Sequence, residues 1–483
     1  MRLRTPRIAA AFAVCAAALA PPACKVGPNY HQPDAPVPSA YKELPPGWKV
    51  GTPRDASDRG EWWQIFGDPE LAGLERQVNI SNQNVKQYEA QYREAVALLR
   101  QAQAQLFPTL GVSFGAQRGG GGGGTAAVAS TVGSGTGGTT RTEFTLEGML
   151  SWEPDLWGTI RRQVESRRAG VEVSQADLAN AQLSAQATLA TDYFDLRAAD
   201  SLRELLAKSL SLDEKALDIT RHQMESGTAT NGDLAAAQAA LEAAQAQLTA
   251  VDQQRGTYEH AIAVLTGRLP SELSIPAAPL AAAAPEIPLA VPSELLERNP
   301  SIAAAERQMQ QENALIGVAI GAYFPTISLT GIGGYAGNPL SSLVQMGNRI
   351  WSVGGTASDT LFQGGAQVAA VAGARATYDQ YVANYRETVL TAFQQVEDNL
   401  LALRVLGREA EFERQAVMHA QTAADVALNQ FNAGTVSYTT VIADIQTLLA
   451  DQESLLTIRQ NELVADVSLI EALGGGWDVA RLK

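Results

Sequence analysis

The stretch that decides the fold is Phe107-Pro108-Thr109-Leu110, because it returns as Phe324-Pro325-Thr326-Ile327. Two further landmarks recur in the same order. Leu156-Trp157-Gly158 returns as Leu361-Phe362-Gln363-Gly364, and Glu225-Ser226-Gly227-Thr228 returns as Asn432-Ala433-Gly434-Thr435. Three collinear repeats of different chemistry indicate a duplicated chain with a period of roughly two hundred residues, far longer than the period of a solenoid.

The duplication divides the 483 residues into repeats and connecting segments. Within each repeat we predict one helix, a pair of strands and a hairpin of two long helices. The first helix should run from Leu71 to Leu106. The predicted segments are a leader (1–23), an N-terminal extension (24–70), a first repeat (71–268), a Pro- and Ala-rich linker (269–292), a second repeat (293–473) and a tail (474–483).

Apolar and polar residues alternate on both sides of a low-bulk stretch at 118–140, which we predict to be a loop. Leu110, Val112 and Phe114 precede it, and Phe144 to Trp152 follow it with one apolar and one polar face. Such strands suit lipid on one side and water on the other. A soluble sandwich strand shows the same alternation, but the flanking helices offer no second sheet.

The second repeat shows the same alternation less cleanly. Ile327 and Leu329 alternate with polar residues until Gly331 breaks the phase, which predicts a bulge. Residues 351–358 alternate again. Each chain therefore supplies about four strands, whereas a closed barrel takes at least about eight. Two chains would give eight strands with a filled interior, and three would give twelve with a channel, which we favour.

The predicted helices of the hairpins are too long for a compact globular domain. Residues 158–226 contain no Pro, and as one helix they would reach roughly 100 Å. Heptads at Leu234, Leu241 and Leu248 predict helices that pack as coiled pairs. A plain antiparallel coiled coil without a lumen is the alternative. A Gly suited to ending a helix stands in each predicted hairpin tip, Gly227-Thr228-Ala229-Thr230 and Gly434-Thr435-Val436-Ser437.

The N-terminus carries the features of an export leader, with Arg2, Arg4 and Arg7 before a short apolar run. The run ends at Ala23-Cys24, similar to a bacterial lipoprotein cleavage site, which predicts an acylated Cys24. Ordinary cleavage nearby is the alternative. Cys15 would leave with the leader, so no internal disulfide is expected. We predict no transmembrane helix, because no later stretch is apolar for long enough.

The composition argues against two classes of function. A net charge of −15 disfavours a nucleic-acid partner, which requires clustered Lys and Arg. Four scattered His and two Cys offer no ligand or triad spacing, so we predict neither an enzyme nor a metal site. The only expected non-protein group is the covalent lipid on Cys24.

Four motifs carry a family resemblance: Cys24-Lys25-Val26-Gly27-Pro28-Asn29-Tyr30, Glu61-Trp62-Trp63-Gln64-Ile65-Phe66-Gly67-Asp68-Pro69, Leu265-Thr266-Gly267 and Ala472-Leu473-Gly474-Gly475-Gly476-Trp477. They resemble the outer-membrane factor (TolC-like) family, in the lipoprotein branch that serves resistance-nodulation-division efflux systems. The resemblance implies a homotrimer with a twelve-stranded β-barrel and a long α-helical barrel. It also implies a passive exit duct for drugs or other small molecules, lipid-anchored in the bacterial outer membrane and extending into the periplasm.

The resemblance further implies partners and a gate. An inner-membrane pump supplies the energy, and a periplasmic adaptor docks at the hairpin tips. Acidic residues ring the closed aperture in this family, and Asp233 matches one such position. Asp444 lies one residue beyond the second position, which Ala443 occupies. Tyr438 either braces the closed form or fills the helix seam, and we favour the seam.

Two alternatives remain. One is a type I duct that passes unfolded proteins. The other, from a different class, is a non-conducting periplasmic adaptor or stalk lipoprotein. The transported substrate and the identities of pump and adaptor are not predicted.

Overall fold

The computed structural model describes residues 25–34, 38, 40–43, 61–120, 140–280, 298–433 and 435–475. The predictions for the leader, for Cys24, for Gly434, for half of the linker and for most of the tail therefore lie outside the described residues. The chain forms two compact units. The first comprises residues up to 32, 95–171 and 308–381, and the second comprises 33–94, 172–307 and the residues from 382 onward. Each unit thus takes segments from both halves of the sequence.

The first unit contains an antiparallel sheet of order β1-β2-β3-β4. Its strands are β1 (Thr109–Gly120), β2 (Thr140–Trp152), β3 (Thr326–Gly337) and β4 (Arg349–Ser358). The four predicted strands are confirmed, but the predicted loop at 118–140 is too long. Arg118 to Gly120 extend β1 and pair with the first residues of β2. Backbone hydrogen bonds form this end of the ladder, and they need no bulky side chains.

The predicted bulge at Gly331 is wrong. The ladder between β2 and β3 is uninterrupted from Phe144↔Gly337 to Trp152↔Leu329, and the ladder between β3 and β4 is equally continuous. Gly331 and Gly333 lie on the same face as Leu329, and Ile332 lies on the other face. Glycine has no side chain, so the sequence shows a gap in the apolar pattern where the backbone pairing continues.

The predicted first helix is two helices, α1 (Pro69–Ser81) and α2 (Gln83–Ala104). Asn82 leaves the helical conformation with a ψ of 125°. Its side-chain oxygen accepts hydrogen bonds from the backbone N–H groups of Asn84 and Val85, so it caps α2. Its amide nitrogen donates to the carbonyl of Leu265, 2.8 Å away. This contact, distant in sequence, fixes the break between the two helices.

The two helical hairpins are confirmed, and they match each other in length. Helices α3 (Thr159–Glu225) and α4 (Asn231–Leu265) have 67 and 35 residues. After α5 (Pro300–Gly321), helices α6 (Ala366–Asn432) and α7 (Tyr438–Ala472) again have 67 and 35 residues. Among the described residues, no helix contains an apolar stretch long enough to cross a bilayer.

The main hydrophobic core of the second unit forms around Trp63, which is fully buried. Residues of α1, α3, α4 and α7 pack there, including Leu71, Tyr193, Ile262 and Leu463. The hydroxyl of Tyr193 donates to Asp68, the N-cap of α1, at 2.6 Å. Burial of these large side chains holds α1 and the middle of α3 against the C-terminal ends of α4 and α7.

Candidate functional site

The first tip (residues 227–230) is a tight turn closed by backbone hydrogen bonds. The N–H groups of Thr228 and Ala229 donate to the carbonyl of Gln223, at 2.8 and 3.2 Å. Gly227 has a φ of 76°, the left-handed conformation that a helix end of this kind requires. The predicted role of this Gly in ending α3 is therefore visible in the backbone.

Asp233 closes the start of α4 through a capping box. The backbone N–H and the hydroxyl of Thr230 both donate to its carboxylate at 2.8 Å, and the Thr230 hydroxyl accepts from the backbone N–H of Asp233 at 3.2 Å. The side chain is exposed, and the hydrogen bonds from Thr230 lower the pKa of the Asp233 carboxyl. Asp233 therefore carries a negative charge at the tip and also stabilises the first turn of α4.

At the second tip (residues 434–437), the described residues 435–437 repeat the first backbone hydrogen bond of the turn, with different supports. The backbone N–H and the hydroxyl of Thr435 both donate to the carbonyl of Gln430, each at 2.9 Å. Ser437 is the N-cap of α7, but its side chain makes no capping hydrogen bond. Its hydroxyl instead lies 3.2 Å from the hydroxyl of Thr440.

Tyr438, the first residue of α7, is buried in a small apolar cluster rather than free to move. Its ring centroid lies 4.9 Å from that of Phe431, at an interplanar angle of 60°. Burial, with a further contribution from Asp213, raises the pKa of the Tyr438 hydroxyl. The cluster fills the seam between α3, α6 and α7, and its members are Ala216, Ala427, Tyr438 and Val441, with Ile219, Phe431, Ile442 and Ile445 at its border.

The two tips face each other across a cleft of about 500 Å³, which we name the tip cleft. The predicted residues among its lining are Thr228, Ala229, Asp233, Val436, Ser437 and Tyr438. Asp444 lies in the second turn of α7 and is half-buried. The structure therefore brings most of the predicted tip residues together, with one exposed carboxylate, that of Asp233, at the wall of the cleft.

The sheet of the first unit has one apolar and one polar face. In the antiparallel ladders, residues directly opposite each other project to the same face. The pairs Leu110↔Leu150, Trp152↔Leu329 and Gly331↔Val353 therefore join the apolar positions of all four strands. Many of these side chains are bare, with Leu110 77% and Val353 81% exposed. The opposite face carries Ser113, Glu147, Ser328, Thr330, Ser352 and Thr356.

A buried arginine, which the sequence patterns do not single out, holds the segment that follows Cys24. We name residues 25–29 the docked segment. Arg162, near the start of α3, donates to the carbonyls of Val26 and Gly27 at 2.8 and 2.9 Å and to the side chain of Asn29 at 3.1 Å. It also pairs with Glu165 at 2.9 Å, and Glu165 accepts a second ion pair from Lys25. The only sequence signals are a basic pair, residues 161–162, and a Gly-Pro pair, residues 27–28, about 135 residues earlier.

Two buried carboxyl groups lie in the helices of the second unit. Burial raises the pKa of Glu75 to about 9, and burial with the charge of Glu462 raises the pKa of Asp466 to about 8. Both carboxylate oxygens of Glu75 and one of Asp466 have no hydrogen-bond partner. No group of three or more His, Cys, Asp or Glu in the described part of the chain could hold a metal ion.

The sequence matches the model of a family described as outer membrane efflux protein, over residues 74–268 and 291–475. The chain belongs to the outer membrane efflux protein family. The two matched segments together cover well over half of the chain, and the break between them falls in the Pro- and Ala-rich stretch.

Curated relatives support the same assignment. The toluene efflux pump outer membrane protein TtgC of Pseudomonas putida is 28% identical over 462 residues, which span 94% of this chain and 93% of TtgC. The pyoverdine export outer membrane protein OpmQ of Pseudomonas aeruginosa is 28% identical over 432 residues, 88% of this chain and 90% of OpmQ. This outer membrane efflux protein therefore aligns with such relatives along nearly its whole length.

Solved structures show the same fold. The outer-membrane channel OprN is 27% identical, with a TM-score of 0.82 over 94% of this chain and 100% of OprN. The CmeC outer membrane channel of Campylobacter jejuni reaches a TM-score of 0.87 at 23% identity, over 95% of this chain and 96% of CmeC. The efflux protein is thus an outer-membrane protein with the channel fold, mainly helical with a β portion.

Proposed function

We propose that three copies of this efflux protein form a passive exit duct for drugs or other small molecules. The strands of three copies close into a twelve-stranded barrel in the outer membrane, and their helices form a tube in the periplasm. A periplasmic adaptor docks at the two tips, and an inner-membrane pump supplies the energy. Acylated Cys24 anchors each copy to the membrane.

The observation that carries this proposal is the four-stranded sheet, which has one exposed apolar face and two edges that no other described strand pairs with. In lipid, an unpaired strand edge leaves N–H and C=O groups without partners, so membrane sheets close into barrels. Four strands are too few to close, and eight would leave an interior filled by side chains. Three copies give the smallest symmetric barrel with a channel. Antibiotic efflux and pyoverdine export, which the names of two relatives state, support small molecules as cargo.

We further propose that the tip cleft is the periplasmic gate. Three copies of Asp233 placed around one axis would repel each other and attract cations, so cations or hydrogen bonds must hold the closed state. Tyr438 holds the second tip by packing in the seam, and Asp444 has a lesser part because it is half-buried in the second turn of α7. An adaptor that binds the open state more tightly would shift the equilibrium toward opening.

The test is single-channel conductance of the purified protein in a planar lipid bilayer. The wild type should conduct weakly, and Asp233→Ala should conduct more. Glu242→Ala, an exposed acid further along α4, is the matched control and should behave as the wild type. Thr230→Ala removes the capping hydroxyl and keeps the carboxylate. If Thr230→Ala opens the channel as much as Asp233→Ala, Asp233 acts through the helix cap and not through its charge.

A second experiment separates small-molecule efflux from protein secretion. Deletion of the gene should raise the susceptibility of the host bacterium to a panel of drugs and solvents, and the secreted proteins should be unchanged. Loss of a secreted protein with unchanged susceptibility would instead support a type I secretion duct. No conductance at all, together with a monomeric mass in detergent, would support the non-conducting adaptor or stalk.

A further inference from the structure

The charged residues of the four strands are sorted between the two faces of the sheet. Successive residues of a strand alternate between the faces, and the ladder partners place Arg118 of β1 and Arg349 of β4 on the apolar face. The other charged residues of the strands, Arg141, Glu143 and Glu147, hold positions of the polar face in β2. In these described strands the apolar face therefore carries positive charge alone, although the chain has a net charge of −15.

Neither of these two arginines is neutralised within the described part of the chain. Both side chains are exposed, and neither guanidinium forms an ion pair or a side-chain hydrogen bond with a described residue. A guanidinium on a face turned to lipid is costly without a partner, because hydrocarbon offers its N–H groups no acceptor. Arg118 and Arg349 therefore need acceptors beyond those that the described residues supply.

Both arginines lie toward the strand ends that are remote from the helices. Arg118 lies eight residues beyond Leu110, and Arg349 lies eight residues before Ala357, which are the apolar-face residues at the helix-linked ends of β1 and β4. With a rise of about 3.4 Å per residue and a strand tilt of about 40°, each arginine lies roughly 20 Å further across the membrane. The apolar band of such a sheet is about 25 Å tall, so each arginine lies near the outer edge of the band.

Aromatic residues on the same face support this level in the membrane. Tyr335 lies directly opposite Arg349, and Trp351, which is 72% exposed, lies two residues further along β4. Tyr and Trp concentrate where the hydrocarbon meets the lipid headgroups. The helices of this outer-membrane protein extend into the periplasm, so the headgroups at the other end of the strands belong to the outer leaflet.

We propose that Arg118 and Arg349 bind phosphate groups of a phosphorylated glycolipid in the outer leaflet, while its acyl chains lie on the apolar face. This inference rests on the proposed function in placing that face against lipid. A guanidinium presents paired N–H donors that match two oxygens of a phosphate. The apolar face and the arginines together therefore fit a ligand that carries acyl chains and phosphates in one molecule.

The spacing of the two arginines favours a lipid over a free phosphate ion. Arg349 shares its row across the sheet with Phe114 of β1, and Arg118 lies four residues further along β1. The backbones of the two arginines are thus roughly 20 Å apart, and strand side chains stand nearly perpendicular to their sheet. One phosphate ion is too small to contact both, whereas two phosphates on one lipid, or on neighbouring lipids, can.

The test is a lipid titration of the full chain, purified in detergent, with the lipid-bound fraction measured by native mass spectrometry. The two probes are diphosphorylated lipid A and the same lipid after removal of its phosphates. We expect the wild type to bind the phosphorylated probe more tightly. Arg118→Gln and Arg349→Gln should each weaken that binding by about fivefold, and the double variant by about 25-fold. Binding of the dephosphorylated probe should not change.

Two variants control for charge and position. Arg408→Gln removes an exposed arginine of α6 and should bind both probes as the wild type does. Arg349→Lys keeps the charge but not the paired donors, so it should lose less affinity than Arg349→Gln.

The outcomes separate the inference from the proposed function. A trimer that binds both probes equally, or whose double variant keeps the wild-type preference, overturns the inference and leaves the duct standing. Inorganic phosphate that displaces the lipid more than chloride does at the same ionic strength indicates a free-ion site and also overturns the inference. A monomeric mass in the same spectra overturns the proposed function instead.

Discussion

Replacement of Glu75 should change how the stability of the protein depends on pH. Glu75 lies in α1 with no exposed surface, and neither of its carboxylate oxygens has a hydrogen-bond partner. Burial raises the pKa of its carboxyl from 4.5 to about 9. Between these two values the folded chain keeps a proton that the unfolded chain has released. Rising pH therefore stabilises the unfolded state, by about 1.4 kcal/mol per pH unit.

Glu75→Gln replaces the titrating carboxyl with a neutral amide of the same size. The gain in the free energy of unfolding of Glu75→Gln over the wild type should grow by about 3 kcal/mol between pH 5.5 and pH 7.5, which is about 3 °C of melting temperature for a chain of this length. The assay is thermal unfolding in detergent, followed by circular dichroism at both pH values. Glu89→Gln, an exposed acid of α2, is the control and should show no such change. If Glu75→Gln raises the melting temperature by the same amount at both pH values, the reasoning is refuted. The carboxyl of Glu75 would then be ionised or hydrogen-bonded in the folded protein.

Three further substitutions test the contacts of the docked segment and the turn of the first tip. Arg162→Met leaves the carbonyls of the docked segment without a donor and should lower the free energy of unfolding by about 3 kcal/mol in a thermal melt, whereas the exposed Arg167→Met should not. Gly317→Ala places a Cβ 2.8 Å from the Arg162 side chain and should speed trypsin cleavage in the docked segment, and Gly373→Ala, with nothing within 4 Å, should not. Gly227→Ala forces a left-handed residue at φ 76° and should cost about 1 kcal/mol, seen as faster amide exchange at the end of α3; unchanged exchange would show that the turn relaxes.

Much of the fold is readable in the sequence because its determinants are periodic. Alternation with a period of two marks the four strands, and long Pro-free stretches mark the helices of the hairpins. The break at Asn82 was missed because the surrounding residues are polar and helix-forming, and the deciding hydrogen bond reaches Leu265 far along the chain. The bulge was wrongly predicted at Gly331 because a missing side chain looks like a change of phase.

The residues of the candidate site were predicted unevenly, because sequence patterns reveal local features and not contacts between residues distant in the chain. The tips were found because each long helix is followed by a Gly in the sequence, and the left-handed backbone of Gly227 that ends α3 is a local requirement. The capping box of Thr230 and Asp233 is also local, although the carboxylate was predicted for the gate alone. Arg162 was not found, because its acceptors are carbonyls of a segment about 135 residues earlier, and any sequence offers carbonyls. The gate roles of Asp233, Asp444 and Tyr438 and the lipid on Cys24 stay predictions.

The two tips are held by different forces, and this limits where the channel can sense pH. Hydrogen bonds from Thr230 lower the pKa of Asp233, so the stabilisation of the first tip is present above the ordinary Asp value of 3.8 and is lost only as pH falls through the lowered pKa. The second tip depends on burial of Tyr438, whose raised pKa keeps the phenol neutral. Neither support changes charge between pH 5 and pH 8. A conductance that changes within that range must therefore come from other groups. Among the acids of the helices, burial raises the pKa of Asp192 to about 6 and that of Asp466 to about 8, whereas the pKa of Glu75, about 9, lies above the range.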